Sequence, residues 1–62
     1  MNELDRQLLK EHIALFEHDE SDEQRAILLD VIKKIDPRGY QNLMKSQCAY
    51  EFHMILKAIL DP

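Results

Sequence analysis

Residues 40–60 read YQNLMKSQCAYEFHMILKAIL, and nearly all the large apolar side chains of the second half of the chain fall among them. Wound as one helix, at 100° per residue, Met44, Cys48, Phe52, Ile55 and Ile59 share about 80° of arc. Beyond Cys48 the apolar surface widens. Ala49, Met54, Leu56, Ala58 and Leu60 extend it to about two thirds of the circumference, leaving His53 and Lys57 as a narrow polar back. A helix with a single neighbour needs an apolar stripe about 100° wide, so this one expects several neighbours.

Upstream, Asp36-Pro37-Arg38-Gly39 sets where this helix begins. Asp36 can cap, Pro37 suits the first helical position, and the proline ring stops whatever helix precedes it. Before the break, Ile27, Leu28, Leu29, Val31, Ile32 and Ile35 cover about half the circumference of a helix from Asp22 to Ile35. Lys33 and Lys34 complement the C-terminal end of its dipole. Ser21 followed by Gln24 is a capping-box pattern that opens it, with Asp22 and Glu23 in the first turn. The stretch from Glu17 to Glu23 has five acidic residues in seven and reads as a solvated turn. The first helix starts at Asn2 as N-cap and ends near Glu17 or His18, with Leu4, Leu8, Leu9, Ile13, Leu15 and Phe16 on one broad face.

These spacings predict an all-α fold and a single domain over residues 1–62. The expected architecture is a three-helix bundle of two short helices and a long C-terminal one, with about 16, 14 and 22 residues. At 1.5 Å per residue the third helix would be about 33 Å long and the second about 21 Å. Roughly two turns of the third would then lack a partner of equal length, which suits a two-fold homodimer that pairs the C-terminal helices. The side chains expected at that interface, or at a partner's, are Tyr50, Glu51, Met54, Ile55, Leu56, Ile59 and Leu60.

The remaining composition narrows the function classes. A chain of 62 residues buries only about 60% of its unfolded surface, and such chains lean on disulfides, metals or subunit contacts. Cys48 is the only cysteine, so no internal disulfide can form. The formal charge of −4 opposes general nucleic-acid binding, where Lys and Arg neutralise phosphates. No run of 18 apolar residues exists, and no membrane partner is expected. Met1-Asn2-Glu3-Leu4-Asp5-Arg6 lacks a basic region followed by an apolar core, so a cytoplasmic protein without a secretory signal is expected.

No residue set reads as catalytic, cofactor-binding or metal-binding. His12, His18, Cys48 and His53 show no CxxC, HExxH or Glu-x-x-His spacing. Cys48, central in the long apolar arc, reads as a small buried hydrophobe. His12 interrupts the apolar face of the first helix and Glu51 that of the third, which makes them candidates to pair. The reading is therefore a small acidic regulator or inhibitor that binds another protein without catalysis. A dimeric helix-turn-helix DNA-binding regulator is the alternative, with Arg38, Gln41, Asn42 and Lys45 facing a groove. A structural subunit of a larger assembly is the third.

Overall fold

A computed structural model describes residues 1–62. It is all helical, with α1 at Glu3–His18, α2 at Asp22–Ile35, α3 at Pro37–Met44 and α4 at Ala49–Leu60. The first two helices run as the capping residues dictate. Asn2 Oδ1 accepts from the Asp5 N–H at 2.7 Å, and Ser21 Oγ accepts from the Gln24 N–H at 3.2 Å. One residue both ends α2 and starts α3. The Asp36 N–H donates to the Ile32 carbonyl at 2.7 Å, while Asp36 Oδ1 accepts from the Gly39 N–H at 3.2 Å. Pro37 lies in the first turn, where its missing N–H leaves no helical bond unmade.

The long third helix is not formed. It is split by Lys45-Ser46-Gln47-Cys48 into α3 and α4, so the bundle has four helices instead of three. The last turn of α3 tightens through bonds from the Lys45 N–H to the Asn42 carbonyl and from the Ser46 N–H to the Leu43 carbonyl. The Ser46 hydroxyl takes the same Leu43 carbonyl at 2.6 Å, the kind of local bond by which serine competes with helix continuation. Cys48 is then extended, at φ −153° and ψ 168°. The Glu51 carboxylate reaches back to accept from the Gln47 N–H at 3.3 Å, fastening the new helix start.

Packing explains why the chain breaks there. A continuous helix would carry Phe52, Leu56 and Ile59 past the end of α2, whereas the break folds α4 back over the other helices. Each then enters the single core with Leu9, Ile13, Phe16, Leu28, Ile32 and Leu43. The length mismatch that suggested a dimer is thus absorbed within one chain, and the molecule measures 28 × 21 × 17 Å. The helices form a ring in which α1 packs on α2, α2 on α3, α3 on α4 and α4 on α1.

Both ends of the α1–α4 seam are tied. At one, Arg6 donates through Nε to the Leu60 carbonyl at 3.4 Å and through Nη2 to Asp61 Oδ1 at 3.3 Å. At the other, His53 Nε2 lies 3.6 Å from Glu20 Oε1. The Phe16 and Phe52 rings meet there at 5.6 Å, and the Arg25 guanidinium caps Phe52 at 4.7 Å. This aromatic–cation stack closes the core beneath the acidic turn.

Candidate protein-binding surface

The break redistributes the residues expected at an interface. Leu56 and Ile59 are buried in the chain's own core, and Ile55 and Leu60 are half-buried and pack against it. Tyr50 and Met54 remain outside, 72% and 52% exposed. Glu51 is also exposed, beyond its bond to Gln47. On α4 the buried Phe52, Leu56 and Ile59 occupy about 60° of arc, and Tyr50 and Met54 lie roughly opposite, flanked by Lys57 and Ala58. The outer face of α4 is therefore an aromatic ring and a thioether between a lysine and a carboxylate.

Three expectations about single residues change with the break. Cys48 is exposed and serves as the N-cap residue of α4, without a side-chain capping bond. Its backbone is extended, so it leaves the apolar arc it would share with Phe52 in an unbroken helix. Met44 is exposed for the same reason. Glu51 does not meet His12: its carboxylate is used at the α4 start, while His12 is half-buried with a buried Nδ1 that has no hydrogen-bond partner.

Two concave regions flank the outer face of α4. A cavity of about 250 Å³ opens beneath the acidic turn, where Glu20, Arg25, Cys48 and His53 meet. A shallower groove of about 610 Å³ runs where α3 meets α4, between Arg38 and Asn42 on one side and Ile55 and Ala58 on the other. No group of three or more His, Cys, Asp and Glu side chains is arranged to hold a metal ion. No helix is long and apolar enough to cross a membrane.

The polar side chains of the helix-turn-helix reading also have definite places. Arg38, Gln41 and Asn42 are exposed on α3, and Lys45 is exposed as its C-cap residue. All four fall within about 100° of arc. The α1 face also divides: Leu9, Ile13 and Phe16 are buried, while Leu4, Leu8 and Leu15 are exposed. The sequence reading took these six as one broad face; the two trios lie roughly 130° apart around α1, and the positions of α2 and α4 decide which of them is buried. No family model matches the chain, and neither a characterised protein nor a solved structure does.

Proposed function

We propose that this chain is a small acidic regulator that acts by binding another protein through the outer face of α4, without catalysis of its own. The observation that carries the reading is the exposure of Tyr50 and Met54 on a helix whose other large apolar side chains lie in the core or pack against it. Tyrosine and methionine are enriched at the cores of protein interfaces: one offers a large rigid ring with a polar tip, the other an adaptable apolar one. Glu51 and Lys57 flank them with opposite charges that would orient a partner more than they would bind it. Whether the bound protein is inhibited, or the chain is a fixed subunit of its assembly, depends on the partner.

The test is affinity capture with the native chain beside a Tyr50→Ala, Met54→Glu variant, followed by calorimetry on any purified candidate. Support is a protein bound by the native chain and lost in a variant whose helical circular dichroism is unchanged. Equal binding by both chains sinks the reading.

The second reading, a DNA-binding regulator, is favoured by the shared exposed arc of Arg38, Gln41, Asn42 and Lys45 along α3. It requires salt-sensitive binding to duplex DNA that is lost when Arg38 and Lys45 are replaced by Glu. The acidic balance of the chain sets it second.

A further inference from the structure

The helices on either side of the break bury faces that a continuous helix would set nearly opposite. At 100° per residue, the buried Gly39 and Leu43 of α3 would centre about 150° around the axis from the buried Phe52, Leu56 and Ile59 of α4. Leu43 and Phe52 share one core, so a single chain fills that core only by breaking between them. A straight helix would keep Leu43 against α2 and turn Phe52, Leu56 and Ile59 away from it. Met44 and Cys48, which the break leaves exposed, would turn to the same side as Phe52, the three within about 80° of arc.

Little in the break opposes straightening. Lys45-Ser46-Gln47-Cys48 holds no glycine, no proline and no residue with positive φ, and Lys45 is already in the right-handed helical region at φ −91° and ψ −6°. Two local side-chain bonds fasten the bent form: the Ser46 hydroxyl donates to the Leu43 carbonyl at 2.6 Å, and the Glu51 carboxylate accepts from the Gln47 N–H at 3.3 Å. Cys48 stands at the N-cap of α4 without a capping bond, where Ser, Thr, Asp or Asn would supply one.

We infer that Lys45–Cys48 is a hinge, and that straightening it joins two chains in a two-fold dimer in which each α4 lies in the core of the other. The core itself selects the occupant. The place α4 leaves is shaped for its own side chains, with Phe16 and Arg25 stacked on Phe52 and Arg6 reaching the Leu60 carbonyl. A second copy brings the same side chains on the same helix, so the α4 contacts are remade between chains and the hinge alone differs. The balance between the two states then rests on the hinge bonds and on concentration. The native chain, with both bonds in place, is the folded-back monomer. A chain whose hinge favours helix pairs with its copy.

Sedimentation equilibrium of two full-length variants, refolded from urea at nearly millimolar concentration, is the test. Ser46→Ala with Cys48→Ala removes the hydroxyl bond and sets two strong helix formers in the hinge. Ser46→Ala with Cys48→Ser differs from it by one oxygen atom, and that oxygen restores a cap, since serine at the N-cap with Glu51 three residues on is a capping box. The alanine chain should approach twice the monomer mass with unchanged helical circular dichroism. A cap is worth about fivefold in an equilibrium constant and two are at stake in each dimer, so the serine chain should associate about thirtyfold more weakly. Neither variant has a thiol, so a disulfide cannot account for the pairing. In the alanine dimer the contact of Gly39 with the Ile59 δ1-methyl must lie between chains. Its nuclear Overhauser effect should therefore pass an intermolecular filter in a mixture of labelled and unlabelled chains. Cys48 is exposed, so Cys48→Ala alone, compared with Cys48→Ser, carries the same test if the double variant loses its helices. A monomeric alanine chain, equal association by the alanine and serine chains, or a dimer without the intermolecular contact would overturn the inference.

Discussion

Gly39 and Ile59 meet across α3 and α4 so closely that a methyl group on Gly39 would lie 2.7 Å from Ile59 Cδ1 and 2.9 Å from its Cγ1. The same methyl would come within 2.8 Å of Asp36 Oδ2, on the carboxylate that caps α3. The glycine is helical with negative φ, so its role is space and not backbone freedom. Alanine gains about 1 kcal/mol over glycine in a helix interior, whereas overpacking a tight contact costs about 1–3 kcal/mol. Gly39→Ala is therefore expected to lose about 1 kcal/mol net, measured as a lower urea midpoint at unchanged slope. A rise in the midpoint would show that Ile59 moves aside at little cost.

Asp36 is used twice, by its backbone at the end of α2 and by its carboxylate at the start of α3. Asp36→Ala removes only the second role and should cost about 1 kcal/mol. Asp36→Ser, which restores a short acceptor, should recover most of the loss. Urea unfolding of the three chains measures both effects, and equal losses for alanine and serine would show that the capping bond contributes nothing.

Neighbours on α1 should respond very differently to the same truncation. Leu9 is fully buried and Leu8 is 42% exposed. Leu9→Ala removes core contacts and leaves a cavity, at about 2–5 kcal/mol, enough to unfold a chain of marginal stability. Leu8→Ala should stay within about 0.5 kcal/mol of the native chain. Thermal melts in dilute solution make the comparison. Similar losses would mean that Leu8 belongs to the monomer core.

The sequence was most readable where a bond is local. Asn2, Ser21, Asp36 and Pro37 act within one turn of themselves, and the bounds of α1 and α2 and the start of α3 follow from them. The break at Lys45–Cys48 has no glycine or proline to announce it. It depends on the Ser46 hydroxyl and the Glu51 carboxylate, and on the burial gained when Phe52 and Leu56 fold back against α1 and into the shared core. That gain is tertiary and invisible to an angular count. The error propagated to the site. A helix read as continuous keeps Cys48 and Met44 inward and offers Leu56 and Ile59 to a partner, whereas the folded-back helix keeps Leu56 and Ile59 for itself and leaves Tyr50 and Met54 outside.

The break itself can be tested without altering the chain. In a continuous helix Gly39 and Ile59 would be about 30 Å apart, at 1.5 Å for each of the intervening residues. Folded back, the Ile59 δ1-methyl lies against Gly39. A nuclear Overhauser effect between the Gly39 α-protons and that methyl is therefore expected, and none can arise within a straight helix. A dimer that exchanges its α4 helices would also bring the two groups together, but between chains. Mixing isotopically labelled and unlabelled chains and filtering for intermolecular effects separates the cases. The cross-peak should vanish from the filtered spectrum. Its persistence there would mean that α3 and α4 straighten in the dimer and that the core of each bundle is completed by the other chain.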